Sequence, residues 1–233
     1  MAANLSPVLF LPGLLCDATL WRAQIDGLAD MVAPAVADLT LDDSIADMAR
    51  RALAAAPPQF ALVALSMGGY VAFEIMRQAP RRVTRLALLA SSAAPDSPVR
   101  ASERRGAIES LELGRFRGVT DRLLPQLVHN RHVQSPVAET VKQMAERVGG
   151  PAFIRQQRAI LGRPDSRPDL AHIKVPTLVA VGQDDRLTPP AESQEIHRGI
   201  PESTLHMFEN CGHLPALELP TETTALLRAW LTR

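Results

Sequence analysis

Three stretches of the chain carry side chains whose types and spacing could do chemistry. The first is Ala64-Leu65-Ser66-Met67-Gly68-Gly69, where an apolar run ends in a serine that leads directly into a helix-like segment. A serine on so sharp a turn exposes its hydroxyl, and its neighbours must be small if strand and helix are not to collide. Ala64, Gly68 and Gly69 meet that need, with Ala64 standing where the usual Gly-x-Ser-x-Gly pattern has its first glycine. An ordinary helix N-cap at Ser66 is the competing reading. The second stretch, VGQDDRLTPP (181–190), offers Asp184 and Asp185, and the third, NCGHLPALELP (210–220), offers His213 after a glycine. A serine hydroxyl is a poor nucleophile at neutral pH. An imidazole in hydrogen-bond reach can take its proton during attack on a carbonyl, and a carboxylate can hold that imidazole in the right tautomer.

These groups meet only if the elements between them bring them to one end of one sheet. The first 95 residues alternate apolar runs (7–11, 31–37, 60–65 and 83–89) with helix-like segments, the pattern of βαβ units. Ser44 is placed as N-cap of SIADMARRALAAA, with Pro57-Pro58 as its stop, and Gly68–Gln78 reads as a helix closed by Pro80. The runs are hydrophobic throughout, as expected for parallel strands covered on both faces. From Asp96 to about Leu170 the texture becomes polar and helical, with 13 Lys and Arg against nine Asp and Glu. Strand and helix then alternate again: strands at 176–181 and 203–208, helices at 190–198 and 221–231. Residues 1–95 and 171–233 are therefore expected to form an α/β core, and 96–170 a helical cap inserted into it. Asp185 and His213 fall in loops after two successive strands, with 27 residues between them. That is room for one helix and one strand, so the loops can share a sheet edge.

On these residues the sequence resembles the serine hydrolases of the α/β-hydrolase fold, in their esterase and enol-lactonase-like branch, over nearly its whole length. The resemblance implies a mostly parallel, doubly wound sheet with a helical cap; as a departure from the family pattern, the sequence is expected to lack the first β-hairpin, since it starts almost at the oxyanion strand. It implies Ser66 as nucleophile. Asp185 would be the acid, in the G-x-x-D-x-x-x-P pattern from Gly182 to Pro189, and His213 in G-H-x-P the base. Phe10-Leu11-Pro12-Gly13-Leu14 resembles the oxyanion loop, with Pro12 in place of a histidine, so the backbone N–H groups of Leu14 and Met67 are the candidate oxyanion donors. Asp184 and Asp96 stay open as alternative acids.

Substrate-wall candidates are Leu14, Leu15, Met67, Leu187 and Leu214 beside the motifs, and Phe116, Met144, Phe153 and Ile154 from the insert. Core packing is the competing reading for each. Arg155 and Arg158, flanking Gln156-Gln157, could hold a substrate carboxylate in their guanidinium forks, or be solvated arginines on a cap helix. Cys16 and Cys211 read as small buried filler. His129 and His132 lack the companions of a metal site, and no phosphate-cradling glycine loop occurs, so neither metal nor organic cofactor is expected.

Composition closes off other classes. The 233 residues carry 25 basic and 25 acidic side chains, 46% hydrophobic and 4% aromatic residues, and two cysteines. Zero net charge argues against a nucleic-acid or anionic-membrane partner. A chain of this mass buries roughly 72% of its unfolded surface without disulfides or metals. The start, MAANLSPVLFLPGLL, has no basic segment and is broken by Pro7, Pro12 and Gly13, so neither a signal peptide nor a spanning helix is expected, and the location expected is cytoplasmic. Three functions follow as expectations: a small-molecule carboxylic ester hydrolase, a lactonase or C–C bond hydrolase for an acidic product of aromatic degradation, and a slow-turnover ligand receptor on a hydrolase scaffold. Oligomeric state is not readable from the sequence.

Overall fold

The computed structural model describes residues 5–114 and 118–233. In chain order the elements are β1 (Ser6–Leu11), α1 (Arg22–Gly27), β2 (Val32–Val36), α2 (Ile45–Ala55), β3 (Phe60–Leu65), α3 (Met67–Gln78) and β4 (Val83–Leu89). Then come α4 (Pro98–Glu112), α5 (Leu124–Leu127) and α6 (Pro136–Leu161), followed by β5 (Thr177–Gly182), α7 (Pro190–Gly199), β6 (Thr204–Phe208), α8 (Pro215–Glu218) and α9 (Pro220–Thr232). The six strands form one open sheet in the order β2-β1-β3-β4-β5-β6, and every pairing is parallel.

Side-chain alternation along the central strands divides the core in two. On β3, Phe60, Leu62 and Ala64 meet α2 and α3 through Met48, Val71 and Phe73. Ala61, Val63 and Leu65 point to the other face, where Trp21, Leu227 and Trp230 cover them. Burying each large side chain of this kind contributes about 1.5–3 kcal/mol, which is why β3 is apolar at every position and β5 has no polar side chain after Thr177. The outer strands differ: β2 and β6 are half exposed, and Pro34, which lacks an N–H, sits on the edge strand β2, where proline is tolerated.

Local chemistry starts and bends the helices. The Ser44 hydroxyl accepts from the Asp47 N–H and Ser97 from that of Arg100, capping α2 and α4. Between β4 and β5 the described residues contain helices and turns only. There α6 is bent at Gly149 (φ 75°), two residues before Pro151, so its two halves take different directions. No helix among the described residues is long and apolar enough to cross a membrane.

The sheet order has one functional consequence. From β1 the chain goes outward to β2, then returns to place β3 on β1's other side, so the loops after β1 and β3 diverge and open a crevice at the carboxyl edge.

Candidate active site

Ser66 closes β3 and opens α3 with φ 55° and ψ −115°, a left-handed backbone that a non-glycine residue adopts at a cost of about 1–3 kcal/mol. Neighbouring contacts hold it there. Its N–H donates to the Leu89 carbonyl at 3.0 Å, and its carbonyl accepts from the Ser91 hydroxyl and the Gly69 N–H, both at 2.9 Å. The glycine pair is a steric requirement: a Cβ on Gly68 would overlap the Leu11 carbonyl, and one on Gly69 the Ser91 hydroxyl. Ala64 is fully buried in register with Leu11 and Leu88, so one methyl fits where the common pattern has glycine.

The loops after β5 and β6 bring the other two groups together. Asp185 Oδ2 lies 2.8 Å from His213 Nδ1, with both side chains buried. Because a carboxylate only accepts, Nδ1 carries the hydrogen and Nε2 is left as the acceptor. Asp185 Oδ1 accepts the N–H groups of Leu187 and Thr188, each at 2.9 Å, and Oδ2 also accepts the Thr188 hydroxyl at 2.8 Å. Burial pushes this carboxyl up, but the His213 charge and hydrogen bond and the Thr188 donors outweigh it and hold it below the ordinary carboxylate range. The other two acids are engaged elsewhere. Asp184 is half exposed, with a carboxylate oxygen 3.8 Å from His129 Nε2, and Asp96 is bound by Arg104 at 2.6 Å and Arg163 at 2.9 Å.

Two polar side chains that sequence reasoning missed fix the loops. Buried Glu218 accepts the backbone N–H groups of Gly212 (3.0 Å) and Leu214 (2.9 Å), clamping the His213 loop, and that of His129 (2.7 Å). Its only sequence signal was an acid on the short helix just after the histidine. Gln156, fully buried on α6, accepts the Leu15 N–H at 3.1 Å and donates to the Leu39 carbonyl at 3.1 Å. Leu15 has φ 58°, so the loop after β1 is held in a strained shape by a residue 141 positions away. With the Leu15 N–H occupied, that of Leu14 makes no hydrogen bond among the described residues. Met67 begins α3, so its N–H has no partner within the helix.

A cavity of about 310 Å³ opens on these groups, lined by Ser66, Met67, Leu14, Leu15, His213, Leu187, Leu214 and Phe153. A second cavity, of about 300 Å³, includes Asp17, Asp38, Thr40 and Arg147 in its wall and contains neither Ser66 nor His213.

Several insert residues lie elsewhere than the sequence suggested. Phe116 lies outside the described residues. Met144 is fully buried against the core beside Val141, and neither it nor Ile154 lines the cavity. Arg155 donates to the Thr40 carbonyl at 2.8 Å and Arg158 pairs with Glu112 at 2.9 Å; neither reaches the cavity. Successive residues of a helix turn by about 100°, so 155 and 158 share the outer face of α6 while Gln156 and Gln157 point inward. The arginines that do line the cavity are Arg100 and Arg104 of α4. Both cysteines are buried and lack thiolate character: burial, then the Asp17 charge, pushes the Cys16 thiol up to about 12, and burial with the Glu218 charge raises Cys211 further.

Comparison with known proteins agrees with the architecture. The thermophilic esterase of Thermogutta terrifontis, solved with malate bound, superposes with a TM-score of 0.86 and 30% identity, over 99% of this chain and 90% of that one. The enol-lactonase of Burkholderia xenovorans LB400 superposes with a TM-score of 0.83 over 99% and 93%, but at 20% identity this likeness concerns the fold alone. In sequence, a pimeloyl-[acyl-carrier protein] methyl ester esterase of Nitrosomonas europaea is 27% identical over 173 residues, 71% of this chain and 69% of the relative. The family model described as serine aminopeptidase S33 matches residues 27–220. The chain is thus a hydrolase of the α/β-hydrolase fold and belongs to the serine aminopeptidase S33 family.

Proposed function

We propose that the chain hydrolyses small to medium carboxylic esters through an acyl-enzyme, with Ser66 as nucleophile, His213 as base and Asp185 as the acid that orients it. The observation that carries this reading is the buried 2.8 Å Asp185–His213 pair opening on the same cavity as a serine held at positive φ. The Ser66 Oγ attacks the ester carbonyl while His213 Nε2 takes its proton. The C–O bond to the alcohol breaks as that proton passes to the leaving oxygen, and a water activated by His213 then releases the acid. The N–H groups of Leu14 and Met67 face the negative charge that develops on the carbonyl oxygen, each such donor being worth about 3–4 kcal/mol. Residues 96–170, inserted over the carboxyl edge of the sheet, serve as the cap that shapes the pocket. The ester-cleaving activities in the names of two of the relatives support the same chemistry.

The test is turnover of p-nitrophenyl acetate and butyrate together with labelling by a fluorophosphonate, which should both occur and both be lost on blocking Ser66. Labelling with turnover of less than one ester per hour would favour the receptor reading; absence of labelling would refute the nucleophile.

Gln156 gives a further expectation for the same site. Gln156→Ala leaves the Leu15 N–H and the Leu39 carbonyl buried without partners, at a cost of about 1–3 kcal/mol in stability. Loosening the loop that carries the Leu14 donor should lower kcat by about tenfold or more while KM stays near its wild-type value, because the oxyanion exists only in the transition state. Urea denaturation and steady-state kinetics read the two effects separately.

A further inference from the structure

The cavity has one charged corner. Arg100 and Arg104, four residues apart, share one face of α4, and Asp96, in the loop just before the Ser97 cap, lies against them. Arg104 donates to Asp96 through Nε at 2.6 Å and to Gln157 through Nη1 at 2.7 Å, which leaves the Nη2 donors without a partner among the described residues. Arg100 donates to Glu192 at 3.1 Å and to the Leu187 carbonyl at 2.9 Å. Arg163 binds the other oxygen of Asp96 at 2.9 Å. Three guanidinium groups are thus set against two carboxylates, a surplus of one positive charge at the wall of an otherwise largely apolar cavity. The remaining member of the corner is Tyr70, one helical turn beyond Ser66 on α3. It is 4% exposed and lines the cavity, and its ring lies 4.3 Å from the Arg163 guanidinium, while its hydroxyl makes no hydrogen bond among the described residues.

A partly buried positive surplus, with free guanidinium donors and an unpartnered phenol hydroxyl beside it, is satisfied by an anion with several acceptor oxygens. We propose that the substrate carries an ionised carboxylate in addition to its ester, and that Arg104, with Arg100 and the Tyr70 hydroxyl, binds it. The substrate class is then monoesters or lactones of short dicarboxylic acids rather than neutral esters. This rests on the ester-hydrolase reading of Ser66 and His213, and it gives the acidic-substrate expectation a physical site different from Arg155 and Arg158. Arg100 also ties α4 to Leu187, two residues from Asp185, so the charged corner and the acid loop are one connected wall.

The experiment compares mono-p-nitrophenyl glutarate with p-nitrophenyl pentanoate, which share a five-carbon acyl chain and a leaving group and differ in the terminal carboxylate. The wild type should favour the glutarate ester by about tenfold or more in kcat/KM. In Arg104→Gln that preference should fall by about tenfold or more, and in Tyr70→Phe, which keeps the ring and its packing, by about threefold. Arg158→Gln, on the outer face, should leave the ratio unchanged. A wild-type preference for the neutral ester, or a ratio unmoved in both Arg104→Gln and Tyr70→Phe, overturns the proposal. If Arg104→Gln does not fold, Tyr70→Phe and competitive inhibition of pentanoate-ester hydrolysis by free glutarate decide it. Should neither ester turn over and Ser66 resist labelling, the hydrolase reading fails separately. Calorimetric titration with glutarate then still decides on the subsite: binding that weakens in Tyr70→Phe supports it, and no binding overturns it.

Discussion

Ser66→Ala should abolish ester turnover and fluorophosphonate labelling while shifting the thermal midpoint by no more than a few degrees. The loss in kcat is expected at about a millionfold, since in a serine triad the nucleophile and base act as a unit and removal of either forfeits the covalent route. Stability should hardly follow. The backbone at Ser66 keeps φ 55° in either variant because the Leu89, Ser91 and Gly69 hydrogen bonds that impose it all involve main-chain atoms of Ser66. The hydroxyl removed takes part in none of them. For a chain of this size about 1 kcal/mol corresponds to 2–4 °C, so a calorimetric midpoint within that range of the wild type is the expected result. Retained activity, or labelling of the variant at another serine, would move the nucleophile away from the turn.

The parts of the molecule that were legible in the sequence share a physical cause. β3 and β4 begin and end where the sequence places them, because a central parallel strand is buried on both faces: β3 is apolar throughout, and β4 is apolar from Leu86 on, after the outlying Thr84 and Arg85. The edge strand β2 is shorter than its run, Met31 and Ala37 falling just outside it, since pairing on one side ends before hydrophobicity does. The loops that carry Ser66, Asp185 and His213 could be placed because backbone punctuation surrounds them: Gly68, which permits close approach to Leu11, and a proline that starts α7. In the insert such marks, Gly149 and Pro151 among them, bend the chain without saying which face turns inward. Which face of α6 turns inward depends on partners such as Leu15 and Leu39, more than 100 residues away, so the inward pair Gln156-Gln157 and the outward Arg155 and Arg158 looked alike in sequence. One signal was available and unused, the four-residue spacing of Asp96, Arg100 and Arg104. That spacing places the two guanidinium groups on one face of α4, with a carboxylate just ahead of its cap to meet them.

Asp185→Asn should lower kcat by about 10⁴ with little change in KM, whereas Asp184→Asn should change it by less than about twofold. The asymmetry follows from the hydrogen bonds. Oδ1 of Asp185 accepts two backbone N–H groups, so in the asparagine variant the amide oxygen must take that place and the NH₂ must face His213 Nδ1. An NH₂ there donates to Nδ1 and drives the imidazole proton to Nε2, the nitrogen that has to accept from Ser66. In the proposed mechanism the acid does not touch the substrate, so ground-state binding is spared. Asp184, half exposed and 3.8 Å from His129, makes no such demand. Stability gives an independent reading through its pH dependence. The folded-state carboxyl of Asp185 titrates below the ordinary value near 3.9 that applies when the chain is unfolded, so its contribution is complete above about pH 5 and is lost as pH falls through the lowered folded value. The gap in unfolding free energy between wild type and Asp185→Asn should therefore be larger at pH 7 than at pH 3, where other carboxylates affect both proteins alike. Equal kinetic losses at 184 and 185 would leave His213 without a defined partner. A large loss confined to Asp96→Asn would transfer the acid to the loop after β4, where Arg104 and Arg163 now hold that carboxylate.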